Sequence, residues 1–114
     1  MNDTLAFSNP SHTLHHDLTS LVTVQPGSIV SRTIYQDERS RAILFSFDAE
    51  QELSEHTASR AAIIEILQGE ARVGVDDATY ELKPGDWLHM APRLPHSVYA
   101  KTPLIMLLTM IGCE

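Results

Sequence analysis

His56-Thr57-Ala58-Ser59-Arg60-Ala61-Ala62-Ile63-Ile64-Glu65-Ile66-Leu67-Gln68-Gly69-Glu70 and Pro84-Gly85-Asp86-Trp87-Leu88-His89-Met90-Ala91-Pro92-Arg93-Leu94-Pro95-His96 are the stretches whose reading decides the fold. Each carries a short apolar strand next to a glycine turn and ends or begins on a histidine. Gly69 and Gly85 permit the backbone angles of tight turns. Pro92 and Pro95 stiffen the entry to the His96 strand without donating to a ladder. In the first stretch Ala62, Ile64 and Ile66 share one strand face, and Ile63, Glu65 and Leu67 share the other. In the second, Leu88 and Met90 share one face while Trp87 and His89 share the other. Met90 is thereby predicted inside, and His89 outside or at a subunit contact.

Working outward, further short strands flank these two. Leu21–Val24 precedes the Pro26-Gly27 turn, Ile29–Tyr35 is rich in β-branched residues, and Ala42–Phe47 is mostly apolar. Ala71–Val75, Thr79–Leu82, Ser97–Ala100 and Leu104–Ile111 follow. Turn signals recur roughly every 8–12 residues, the spacing of an all-β sandwich or barrel. Leu104-Ile105-Met106-Leu107-Leu108 is apolar on both faces, whereas a strand with one wet face would alternate. One face therefore fills the barrel, and the other is covered by the N-terminal arm or by a second subunit. A homodimer built on outward apolar strand faces is the expectation.

Residues 1–17 are polar and lack a period, so they read as an arm ahead of a single domain over 18–114. His12, His15 and His16 fall in that arm and read as solvated. Arg41, Arg60 and Arg93 read as solvated too. The 114 residues suffice for one domain with a core. A net charge of −7 argues against nucleic acid or an anionic membrane as partner. Met1 to Pro10 shows no secretory signal, and the longest apolar run is far shorter than a membrane span. The single cysteine, Cys113, excludes an intramolecular disulfide and suits a reducing compartment, so a cytoplasmic location is expected.

Over about residues 41–110 the two motifs resemble those of the cupin superfamily, the RmlC-like jelly-roll or double-stranded β-helix barrels. That family's first motif runs Gly, His-x-His, Glu, Gly. Anchored on Gly69, these positions fall on Glu50, His56, Ala58, Ala62 and Gly69. Its second motif runs Gly, Pro-x-Gly, His, Asn. Anchored on Gly85, these fall on Ala91, Arg93, His96 and Ala100. The spacing fits while many residues differ.

The resemblance implies a metal held by three His and one Glu inside the barrel. Here His56 and His96 occupy ligand positions, and Ala58 and Ala62 supply no donor. Divalent metal sites normally use three or more protein ligands. The expected function is therefore a small-molecule-binding cupin with its ligand at His56 and His96. Phe45, Phe47, Met90, Met106 and Tyr99 are candidates for the lining. The alternative is a metal-dependent enzyme of dioxygenase or isomerase type, with iron, manganese, nickel or zinc on His56 and His96. A further alternative is a non-catalytic structural or regulatory module. No cofactor is certain from the motifs. His89, Glu52 and Glu55 are the side chains that could supplement the pair, with the two glutamates in a loop free to turn inward.

Overall fold

The computed structural model describes residues 11–112. Nine antiparallel strands follow one another: β1 Ile29–Gln36, β2 Ser40–Phe47, β3 Glu52–His56, β4 Ala61–Gln68, β5 Ala71–Val75, β6 Ala78–Leu82, β7 Trp87–Met90, β8 His96–Ala100 and β9 Leu104–Ile111. They form a five-stranded sheet, β1-β2-β9-β4-β7, and a four-stranded sheet, β3-β8-β5-β6. This is the all-β architecture expected from the turn spacing, in the jelly-roll form that the cupin resemblance implies. Among the described residues no helix is long and apolar enough to cross a membrane.

Strand alternation builds the core. Ala62, Ile64 and Ile66 of β4 are buried against Phe47, Met106, Val73, Val98 and Met90. Met90 is buried while Trp87, on the other face of β7, is 60% exposed. Each inward β4 residue removes its apolar side chain from water, worth roughly 1.5–3 kcal/mol for a full Ile.

Every strand runs between two ends of the barrel. At one end, the base, lie the segments 48–51, 69–70, 83–86 and 101–103. At the other, the mouth, lie 37–39, 57–60, 76–77 and 91–95. The segments joining β2 to β3 and β6 to β7 are short, so β2 lies over β3 and β7 over β6.

The outer face of the larger sheet is covered from within the chain. Leu18–Leu21 forms a single 3-10 turn, and the chain continues extended through Val24. The stretch read as a strand at Leu21–Val24 is therefore a strap without a ladder. Val22 packs with Ile34, Leu44 and Ile105 in a second apolar cluster. Ser46, buried in the sheet, donates its hydroxyl to the Thr23 carbonyl at 3.0 Å. Arg32 donates to the Leu21 carbonyl at 3.1 Å. His15 corrects the reading of a solvated arm: its Nε2 donates to the Ile34 carbonyl at 2.7 Å, where β1 bulges between Thr33 and Tyr35. His12 and His16 are exposed.

Candidate functional site at the barrel mouth

His56 closes β3 and His96 opens β8, and the two are direct cross-strand partners. Leu53 and Val98, the preceding inward pair, share their face. Their rings lie 4.3 Å apart, centroid to centroid, tilted by 60°. His96 is buried and His56 exposed, so the pair straddles the boundary between core and water.

The tautomers follow from the partners. His56 Nδ1 bonds the Ser54 carbonyl at 2.8 Å, and His96 Nδ1 bonds the Leu94 carbonyl at 3.0 Å. A carbonyl oxygen only accepts, so both Nδ1 atoms carry the proton. Each neutral ring is left with a lone pair on Nε2. Such backbone tethers fix ring orientation and tautomer, as they do for histidines that bind metals.

Across the barrel, one row of the larger sheet ends at the same mouth. Its register runs Gln36, Arg41, Met110, Ala62, Met90 through β1, β2, β9, β4 and β7. Ala62 and Met90 are buried and Met110 partly so. Of the expected lining, only Met90 belongs to this row. Phe45 and Met106 face each other four residues deeper, and Phe47 lies against Leu104 at the base. Phe47 and Met106 are fully enclosed in the core.

Tyr99 is corrected as a lining residue, whereas His89 and Glu65 lie on the outer face as their strand parity implies. Tyr99 neighbours Val98 and takes the opposite face, with the Arg72 guanidinium 5.7 Å above its ring on the barrel exterior. Arg72 also bonds Glu81 at 2.9 Å, and it holds that carboxyl below its ordinary range with help from Lys101. Glu52 pairs opposite Tyr99 and is exposed, as is Glu55. Glu65 lies between Trp87 and Leu107 on the outer face. His89 is exposed opposite Ile63. None of these joins the histidine pair.

Arg41 is the residue missed. It is only partly exposed: it shares the inward parity of Ile43, Phe45 and Phe47, and its Nε is buried without a hydrogen-bond partner. Extending the alternation of β2 by two positions from Ile43 would have found it. The turn before it is fixed by Asp37, whose carboxylate accepts from Tyr35 Oη, Arg39 N, Ser40 N and Ser40 Oγ. Those bonds, that of Tyr35 first, hold the Asp37 carboxyl far below its ordinary range.

The positions where the family motif has glycine are also informative. Glu50 and Arg93 both adopt left-handed backbone, φ 69° and 67°. The conformation persists where the residue that favours it does not. The Arg93 amide donates to the Ala58 carbonyl at 2.7 Å, tying the two mouth loops together.

Fold and mouth together define a small double-sheet barrel with an imidazole pair at its open end. The chain belongs to the cupin family: the cupin domain profile matches residues 43–111, more than half of the sequence. It is similar to a conserved protein of unknown function from Streptococcus pyogenes, with 32% identity, 93% of each chain covered and a TM-score of 0.82. A cupin superfamily protein from Desulfitobacterium hafniense is similar at 27% identity over 93% of this chain and 94% of that one, TM-score 0.81. Salicylate 1,2-dioxygenase from Pseudoaminobacter salicylatoxidans, at 18% identity, TM-score 0.69, and coverage of 78% and 26%, shares the fold alone. No curated protein matches the sequence.

Proposed function

We propose that this cupin binds a small molecule at the barrel mouth through His56 and His96. The observation that carries the reading is the tautomer arrangement: two adjacent rings, both tethered through Nδ1, both offering Nε2. Such a pair accepts hydrogen bonds from a ligand hydroxyl, or takes up its proton. Thermal-shift and calorimetric titration with small carboxylates, sugars and phenols tests it. A binding compound raises the melting temperature of the wild type, and His56→Ala or His96→Ala removes that rise. A panel in which no compound binds through either histidine overturns the reading.

The runner-up is a metal-dependent enzyme. The Nδ1 tethers suit metal ligation, but the donor set does not fit a resident ion. Ala58 and Ala62 stand at the other ligand positions, and no group of three or more His, Cys, Asp or Glu comes together among the described residues. Stoichiometric iron, manganese, nickel or zinc in untagged protein, lost in His56→Ala, would promote this reading over the first.

The same reading includes a homodimer in the cytoplasm. The strap covers the base half of β9 and the end of β4 but leaves the outer face of β7 and the mouth half of β4 and β9 uncovered, where Trp87 and Ile111 are exposed beside Ile63. Glu65 and His89 lie in adjacent rows of this patch. A two-fold axis between the rows sets Glu65 against the partner's His89, a self-complementary pairing. Sedimentation velocity is expected to give a dimer that Trp87→Glu dissociates. A wild-type monomer at 100-fold above typical assay concentration, on the order of 0.1 mM, rules it out.

A further inference from the structure

We propose that Arg41 anchors a carboxylate of the ligand, so that the mouth accepts small hydroxy acids. This rests on the ligand-binding reading of the histidine pair and assigns the other end of the same molecule.

The first observation is placement. Arg41 faces inward in the mouth row of β2, and β2 lies over β3, whose mouth end is His56. Packed sheets stand about 10 Å apart, so a guanidinium entering from one sheet and imidazoles from the other come within reach of one small organic acid at the mouth. Beside Arg41 in its own row lie Met110 and Ala62, one pliable and one small.

The second observation is an unanswered charge. A guanidinium has five donors. Arg41 uses Nη2 on the neutral Thr33 hydroxyl at 3.2 Å, while Nε is buried with no acceptor. No ion pair to Arg41 occurs among the described residues. The acid in the preceding turn, Asp37, is committed to Tyr35, Arg39 and Ser40. Partly buried cations are ordinarily matched by an anion, because the desolvated charge is costly alone. The planar Nε–Nη edge is the fork that carboxylates fit in bidentate fashion.

The third observation is complementarity of roles. The two Nε2 lone pairs accept and Arg41 donates. A molecule with a hydroxyl at one end and a carboxylate at the other satisfies both. Phosphate would satisfy Arg41 but offers nothing further that a single guanidinium can neutralise.

The test uses the full-length protein with salicylate, 3-hydroxybutyrate and lactate, the primary amide of each, and inorganic phosphate. Binding is read by titration calorimetry and by the Arg41 Nε–H resonance. The acids are expected to bind and shift that resonance, and the amides to bind about tenfold or more weakly. Arg41→Gln is expected to erase the acid-over-amide preference, Arg41→Lys to keep part of it, and ligand-free Arg41→Gln to be no less stable than wild type. Acids and amides binding equally, acid preference surviving in Arg41→Gln, none of the acids binding, or phosphate outcompeting every acid at Arg41 would each overturn the assignment. Acid preference that survives His56→Ala and His96→Ala but not Arg41→Gln supports Arg41 and sinks the histidine reading. The reverse pattern does the opposite. Should Arg41→Gln fail to fold, the wild-type Nε–H shift with acid and not amide decides.

Discussion

The two ends of this barrel are built differently. At the base, neighbouring loops are laced together through the backbone: Glu50 N to Ala100 O, Ala100 N to Gln51 O, Gly85 N to Ile66 O, Lys101 N to Glu70 O. At the mouth fewer backbone bonds join the segments: Arg93 N to Ala58 O, Asp76 N to Pro95 O and Gly112 N to Arg39 O. The base keeps its glycine at Gly69, where a side chain has no room. A motif backbone persists without its glycine at both ends, at Glu50 in the base and Arg93 in the mouth. The lesson is that most of the backbone lacing lies at the base, and the fold forms with Ala58 and Ala62 at the mouth where the family motif has His and Glu.

The largest expected effect attacks the base. Gly69 has φ 83°, and an added Cβ would collide with the Pro103 carbonyl oxygen, which is backbone and cannot swing away. Gly69→Ala should cost roughly 3 kcal/mol or more and lower the melting temperature by at least about 10 °C. A fall under a few degrees would break the contrast between the two ends.

Next comes a gain of function at the mouth. Ala58→His with Ala62→Glu restores the family's ligand positions beside His56 and His96. The double variant should bind nickel or manganese at least about tenfold more tightly than wild type in calorimetry, while staying folded by circular dichroism. Unfolding would show that the mouth is as constrained as the base.

Smaller still is relief of strain. Arg93→Gly removes a left-handed non-glycine residue, and after the entropy lost to glycine the net gain should be about 0.5–1 kcal/mol, visible as a rise of a few degrees. Glu50→Gly should do the same at the base. Unequal responses would sharpen where strain is tolerated.

The smallest effect is the pH response of the Asp37 turn. Its carboxyl sits below its ordinary value of 3.8 in the folded chain. Its contribution is thus present above that value and lost as pH falls through the lower folded one. Asp37→Asn should flatten the acid limb of a melting-temperature profile and leave the region above pH 5 nearly parallel to wild type.

Much of this was legible in the residues. Alternation in Ala62-Ile63-Ile64-Glu65-Ile66 fixed which β4 side chains enter the core, and spacing from Gly69 and Gly85 brought His56 and His96 to equivalent ends of neighbouring strands. Arg41 escaped because the apolar run begins at Ala42, and a charged residue at a strand end reads as solvent-facing. Tyr99 suits a pocket lining by composition, but its parity against the inward Val98 puts it on the exterior. His15 gave no local signal, since its partner is a carbonyl nineteen residues away that exists only once β1 has formed. The cover on Leu44 and Ile105 was open between arm and partner for the same reason: apolarity demands burial without naming what supplies it.

The bond from His15 to the Ile34 carbonyl has a consequence for how these molecules keep apart. β1 is an edge of the larger sheet, and an open edge is a template on which another chain can extend the ladder. The bulge already breaks that template's rhythm, and the imidazole occupies the carbonyl that the break turns outward. The strap therefore also shortens the stretch of that edge on which another chain could extend the ladder, by taking up one of its acceptors.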